Sequence, residues 1–242
     1  MTRQRVRKSI LGVSFLLFQI RIFHLFFSPV LIVFAASQGI INGSFLIYAI
    51  LFLTSLYFGR AFCSWVCPGG GLQELCSLAV HKRAKGSGYN RIKYVIWGLW
   101  VSAIVWLAIR AGGFHTIDPF FGLQQGTRAQ KYILFFGVIA LIVPTSFLLG
   151  RWASCHYMCW MVPFMVIGTK IKDRVKWPSL HLKVDRDVCT NCMACDQPCP
   201  MSLDVYGMVQ KGSMRNSECI LCGNCVDSCP SGAIRYSFAA PE

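Results

Sequence analysis

Four long apolar runs dominate the first two thirds of the chain. Polar or basic stretches separate these runs, which cover residues 10–37, 39–58, 94–109 and 132–149. Apolar runs of this kind are typical of membrane-spanning helices, which need about 20 residues each. Pro144 lies inside the fourth run, where a proline bends a helix. The pattern therefore predicts an all-α domain of four transmembrane helices over residues 1–168.

The first run also has the basic flank and small residues of a secretory signal, with Ala35, Ala36 and Ser37 at its end. Signal peptides have an apolar core of about 7–15 residues, and this run is longer. We therefore expect an uncleaved first span.

Residues 169–242 have a different character, because nine basic residues are nearly balanced by eight acidic ones. This part contains two cysteine runs, each spaced C-x-x-C-x-x-C-x-x-x-C-P. Paired C-x-x-C knuckles are usual for zinc, whereas quartets that end in Cys-Pro are the ligand pattern of [4Fe–4S] clusters. The spacing predicts a C-terminal α+β ferredoxin domain of the bacterial type with two [4Fe–4S] clusters.

In such runs the first three cysteines hold one cluster and the fourth holds the other. The first predicted ligand set is Cys189, Cys192, Cys195 and Cys229. The second predicted ligand set is Cys219, Cys222, Cys225 and Cys199.

The net charge of +14 is concentrated in residues 1–168, which hold fifteen Lys and Arg against two acidic residues. Most of these bases flank apolar runs, so the charge indicates membrane topology rather than nucleic-acid binding. The N-terminus and the segments 82–93 and 170–176 are the most basic, and four spans place all three on the cytoplasmic side. We therefore expect the ferredoxin domain to be cytoplasmic.

An internal repeat follows the second and fourth runs, where Gly-Arg precedes a C-x-x-x-C pair. The repeat implies two parallel helix-pair halves. Four thiolates from the two pairs could hold a third site, for which we favour an iron–sulfur cluster. Redox-active disulfides and inert packing remain alternatives, and Cys76 is expected to be a packing residue. The four cysteines of this candidate third site are Cys63, Cys67, Cys155 and Cys159.

Several polar residues are candidates for quinone binding or proton transfer. Arg21 and His24 share a helix face within the first apolar run, where a charge is costly and often functional. Alternatively, residues 10–23 lie in the membrane interface and the span starts near Leu25. His115 and Asp118 are weaker candidates in an outer loop, and His156 could tune a metal or simply be packed.

Residues 62–68, the second C-x-x-x-C pair and the tandem ferredoxin motif together resemble the NapH family of membrane quinol dehydrogenase subunits. NosR-type and CcoG-type proteins share this core. The resemblance covers roughly residues 10–235, although Trp160 stands where the family has proline. It implies a multi-pass protein of the bacterial inner membrane that transfers electrons between the quinone pool and redox protein subunits of a larger complex.

The resulting hypothesis is an electron-transfer subunit of a membrane oxidoreductase complex, with two [4Fe–4S] clusters, a third metal site and a quinone as candidate cofactors. The sequence assigns no catalytic residue. One alternative is a maturation factor that reduces a metal or a thiol for another enzyme. Another is a structural membrane anchor for a ferredoxin.

Overall fold

The computed structural model describes residues 2–18, 27–122 and 128–240. The helices are α1 Thr2–Phe18, α2 Pro29–Ser37, α3 Gly43–Phe58, α4 Ala61–Trp65, α5 Pro68–Cys76, α6 Ile92–Arg110, α7 Arg128–Leu149, α8 Ala153–Tyr157, α9 Val162–Val175, α10 Val205–Gln210 and α11 Asn224–Asp227. The strands are β1 Ile40–Asn42, β2 Thr116–Asp118, β3 Ser179–Val184 and β4 Ile234–Ala239. Residues 2–175 are mostly helical and contain a short strand pair, β1 with β2. A second strand pair, β3 with β4, lies in the C-terminal part of the chain.

The first apolar run does not form a single helix, which corrects the prediction of a span over residues 10–37. A new helix starts at Pro29, the favoured residue type for a first helical position, and Ser28 caps it by accepting from the Leu31 N–H at 3.4 Å. The preceding α1 packs along α5. Its first turns contact the ferredoxin part, since Gln4 donates to the Cys222 carbonyl at 3.0 Å.

Within the described residues, the helical stretch Gly88–Arg110 is long and apolar enough to cross a membrane. Two shorter apolar helical stretches are Gly43–Phe58 and Phe136–Leu149. Large apolar side chains project outward from these helices, and Leu99 and Ile109 are 70% and 72% exposed. Exposed apolar surface on this scale marks a contact with lipid or with another protein.

The two loops at the far end of the helices from the ferredoxin part are joined by a short parallel pair of strands. Ile40 pairs with Thr116 and Asn42 pairs with Asp118. Asn42 also caps α3, because its Oδ1 accepts from the Phe45 N–H at 3.0 Å. Both loops therefore lie at the same end of the helices.

The two halves of the repeat meet where α3 packs against α9. A Cβ atom at Gly168 would lie 1.8 Å from the Ser55 Oγ, so any larger residue would displace the Ser55 hydroxyl where the two helices approach. Residues 179–239 form the ferredoxin part. Its strands β3 and β4 pair antiparallel, with Ser179 opposite Ala239 and Val184 opposite Ile234. Its buried centre includes Leu182, Met201, Val205, Val209, Ile220 and Ile234.

Candidate functional site

The ferredoxin cysteines form two groups in space. In the inner group, Cys225 lies within electrostatic reach of Cys219, Cys222 and Cys199. These four cysteines also line a small cavity inside the ferredoxin part. Burial raises the pKa of Cys219 to about 11 and that of Cys222 to about 12, which is the expected effect of withdrawing a thiolate from water.

In the outer group, Cys195 lies within electrostatic reach of Cys229 and Cys189. Cys192 belongs to the same chain segment and is exposed. Cys199, the fourth cysteine of the first run, therefore lies with the second run, and Cys229, the fourth cysteine of the second run, lies with the first. In two-cluster ferredoxin motifs the fourth cysteine of each run binds the cluster of the other run. The inner group is more enclosed than the outer group.

The two C-x-x-x-C pairs sit on matching turns, which we call the first turn (residues 60–67) and the second turn (residues 152–159). In each turn a short helix ends between the cysteines. The backbone N–H of Cys67 donates to the Phe62 carbonyl, and that of Cys159 donates to the Ser154 carbonyl, both at 2.9 Å. One face of a single helix therefore does not present both cysteines of a pair, although the repeat itself is present in the structure.

The second cysteine of each turn lies just before a new helix and accepts backbone hydrogen bonds from it. The donors to Cys67 are the N–H groups of Gly69 and Gly70. The donors to Cys159 are the N–H groups of Met161 and Val162. Helix N-termini favour anionic ligands in this way. A hydrogen bond from Cys155, together with these N–H donors, lowers the pKa of Cys159 below that of an ordinary cysteine thiol.

The two turns bring the four cysteines of the candidate third site together. Cys155 lies within reach of Cys159, Cys63 and Cys67. The amide of Gln73 on α5 donates to the Cys155 Sγ at 2.9 Å. Glycine is needed beside this group, because a Cβ atom at Gly70 would lie 2.2 Å from the Cys63 carbonyl oxygen.

The spacing of the thiols bears on what they could hold. Among the described residues, no three His, Cys, Asp or Glu side chains lie close enough to share one metal ion. A tetrahedral zinc site with bonds of about 2.3 Å keeps its sulfurs within about 4 Å of one another. A [4Fe–4S] cluster instead binds each of its four thiolates to a different iron.

A buried ion network lies between the first turn and the ferredoxin part. Glu218, next to Cys219, accepts from Arg60 and from Lys93, each at 2.6 Å, and both basic side chains are fully buried. The Arg60 guanidinium acts on Cys63 and Cys155 through its charge, and its Nε and Nη2 are buried without a partner in the described part of the chain. Two cations face one carboxylate, so this network suits an additional anionic group such as a thiolate-bound cluster.

The extra residue of the second turn is accommodated at Trp152, which adopts a left-handed conformation with φ of 58°. Trp152 precedes Cys155 by three residues, as Arg60 precedes Cys63, and it is fully buried. Arg151 instead donates to the Gln197 carbonyl at 2.7 Å, close to Cys199.

Both turns contact the loops that carry the inner group. From the first turn, the Ser64 hydroxyl donates to the Ile220 carbonyl at 2.5 Å and the Trp65 indole donates to the Leu221 carbonyl at 3.2 Å. From the second turn, the His156 Nε2 lies 3.0 Å from the Met201 carbonyl. The inner group therefore lies next to the third site, and the outer group lies beyond it.

The remaining sequence candidates have ordinary surroundings or lie elsewhere. His156 is buried, and burial together with the nearby Arg60 charge lowers its pKa to about 4, which fits a packed histidine. His115 and Asp118 are exposed in the outer loop, remote from the cysteines. Arg21 and His24 lie outside the described residues.

A large apolar cavity of about 520 Å³ opens beside the third site. Cys67, Cys155 and Cys159 line one side of it. Aromatic and aliphatic side chains line the rest, among them Phe15, Phe18, Phe27, Trp100 and Trp160. This cavity could not be predicted from the sequence, because its walls come from helices α1, α2, α5, α6 and α7 together.

Family models match both parts of the chain. A 4Fe-4S binding domain matches residues 43–86 and again residues 131–178, and a 4Fe-4S dicluster domain matches residues 188–234. The first model thus covers each half of the repeat separately, including its C-x-x-x-C pair. The resemblance to the NapH type of ferredoxin protein is confirmed.

Curated relatives agree with this placement. The chain is 28% identical to the uncharacterized protein MJ0750 of Methanocaldococcus jannaschii, over 78% of this chain and 77% of that one. It is 24% identical to the putative electron transport protein YccM of Escherichia coli, over 77% of this chain and 54% of YccM. It is also 24% identical to the ferredoxin-type protein NapH of Haemophilus influenzae, over 74% of this chain and 62% of NapH.

The match therefore spans about half of YccM and somewhat under two thirds of NapH. No solved structure matches the chain significantly. The matched domains and relatives point to iron–sulfur electron transfer.

Proposed function

We propose that this chain is a membrane subunit that passes electrons between a quinone pool and a protein redox partner through three iron–sulfur sites. The observation that carries the proposal is the contact of both cysteine turns with the loops of the inner group. That contact gives a continuous series of thiol groups from the helical part, through the inner group, to the exposed Cys192.

The proposed ligand sets follow the grouping of the thiols. The inner group would hold one [4Fe–4S] cluster, the outer group a second, and the third site a further cluster. When bound, these clusters supply one-electron transfer. The chain's own contribution is to hold the thiolates, to donate backbone hydrogen bonds to them, and to place the Arg60 charge beside Cys63 and Cys155.

The membrane arrangement is part of the same proposal. The apolar runs of residues 1–168 supply four spans, and residues 169–242 form the cytoplasmic ferredoxin domain. The exposed apolar surfaces of α3, α6 and α7 support contact with lipid. The β1–β2 pair supports a common side for the two outer loops, opposite the cysteine turns.

A quinone-type carrier is the second half of the proposal. Oxidation of one quinol releases two electrons, enough for one at each ferredoxin cluster, and two protons that pass to water. Arg21 and His24 remain proposed contributors, since they lie in sequence between Phe18 and Phe27, which both line the apolar cavity. Replacing them by Leu and Phe should slow quinol-dependent reduction without loss of iron.

The test of the function uses the full chain in detergent, with reduction of the clusters by duroquinol followed by visible absorbance. In the wild type, duroquinol should reduce the ferredoxin clusters. The double variant Cys63→Ser, Cys155→Ser should block this transfer while dithionite still reduces the remaining clusters.

Cys76→Ser is the matched control, because Cys76 is also a buried free cysteine but lies outside the three groups. Unchanged duroquinol reduction in the double variant would refute the route through the third site. A wild-type protein that duroquinol does not reduce would refute the quinone link itself.

A further inference from the structure

Two buried polar atoms on the described wall of the apolar cavity have no hydrogen-bond partner, the Gln73 Oε1, which is an acceptor, and the Trp160 Nε1, which is a donor. Gln73 is 1% exposed and lines the cavity, and its Oε1 has no hydrogen-bond partner in the described part of the chain. The hydroxyl groups on the described wall are engaged. Ser28 caps α2, and the Ser154 hydroxyl pairs with that of Thr145 at 2.5 Å.

The orientation of the Gln73 amide follows from its neighbour. A metal-binding thiolate only accepts hydrogen bonds, so the NH₂ side of the amide must face Cys155, as it does at 2.9 Å. The oxygen is then left on the other side as an acceptor. A buried acceptor without a donor is costly, which indicates that a donor occupies this position in the working protein.

Water is a poor candidate for that donor. Buried waters typically make about three hydrogen bonds, whereas the wall of this cavity is mostly apolar and aromatic. A cavity of about 520 Å³ has the size of a small-molecule site, which is usually apolar with a few convergent polar groups. The aromatic walls at Phe15, Trp100 and Trp160 suit a flat ring.

We infer that this cavity is the quinol site and that Gln73 Oε1 accepts a hydrogen bond from a ring hydroxyl of the quinol. The inference rests on the proposed function and deepens it by naming the site and the recognising residue. Gln73 then contacts the quinol with one end of its amide and Cys155 with the other. This places the ring next to the third site and discriminates a hydroxyl from an ether or a carbonyl.

The test measures binding to the full chain in detergent by anaerobic calorimetry, with duroquinol and its dimethyl ether as probes. The ether keeps the ring but has no donor, so the wild type should bind duroquinol about tenfold more tightly than the ether. Gln73→Met, which is similar in size, should bind duroquinol about tenfold more weakly and the ether unchanged. Gln38→Leu is the control, since Gln38 is exposed and does not line the cavity.

Equal affinities of the wild type for the two probes would overturn the assignment, and this comparison needs no variant. Equal losses for both probes in Gln73→Met would also overturn it, because they would indicate a packing effect. These outcomes differ from failure of the proposed function, which is reported by absent reduction of the wild-type clusters by duroquinol. Binding of neither probe would overturn the site itself.

Discussion

The buried ion network at Glu218 gives the most direct test of how the helical and ferredoxin parts are held together. In Glu218→Gln, Arg60 and Lys93 lose the carboxylate that each contacts at 2.6 Å, and both remain fully buried. Removing one partner of a buried ion pair costs about 3–5 kcal/mol, because the other charge is left uncompensated. The Glu218 side chain is still 13% exposed. We therefore expect the lower end, about 3 kcal/mol.

The effect should fall on the ferredoxin part and its contact with the first turn. Guanidinium unfolding of the protein in detergent, followed by loss of visible cluster absorbance, should show a transition at clearly lower denaturant concentration. Asp187→Asn is the matched control, since it removes one carboxylate from the same part of the chain at an exposed position. That control should leave the transition in place.

A second comparison isolates the electrostatic cause. Adding Arg60→Gln to Glu218→Gln removes one of the stranded cations, so the double variant should lose less stability than the sum of the single variants. The reasoning would be refuted if Glu218→Gln and Asp187→Asn unfolded alike. Strict additivity of the two substitutions would show that the cost comes from packing rather than from charge.

Three further predictions concern cluster ligands, topology and packing. Cys199→Ser should remove the inner cluster and Cys229→Ser the outer one, so iron analysis should show about four irons lost in each and electron paramagnetic resonance should show different surviving signals. Labels at Phe120 and Ala240 should report opposite sides of the membrane, and the same side for both would contradict four spans. Trp152→Ala should destabilise the protein by about 3–5 kcal/mol in a denaturation assay, because the side chain is fully buried.

The chemistry of the ferredoxin part could be predicted from sequence because its ligands are close together along the chain. Three cysteines within seven residues nearly fix their own geometry. Only the exchange of Cys199 and Cys229 depends on the fold, and that exchange follows a general rule. In the structure, Cys229 lies near Cys195 and Cys199 lies near Cys225.

The third site shows where the sequence argument was incomplete. The C-x-x-x-C spacing does not reveal the local backbone, in which Pro68 begins a new helix directly after Cys67. In the second turn a proline occurs later, at Pro163, and the helix starts at Val162. The four cysteines still meet, because the repeat brings together two turns of the same shape rather than two helix faces.

The basic residues carry a second role that the sequence did not reveal. Several were interpreted only as topology signals, yet Arg3 pairs with Asp227, Arg7 pairs with Glu74 at 2.8 Å and Arg83 pairs with Asp196 at 2.6 Å. The partners lie up to 224 residues away along the chain. Only the folded structure shows which charge meets which, and the Arg60–Glu218–Lys93 network was missed for the same reason.

The enclosure of the inner group has a consequence for how the protein is made. Cys222 and Cys225 are buried, and the loops around them are covered by Ser64 and Trp65 of the first turn. An iron–sulfur delivery protein needs open access to the thiols it loads. We therefore expect the inner cluster to be inserted while the ferredoxin part is still free of the helices, so that cofactor delivery precedes the final closure of the protein.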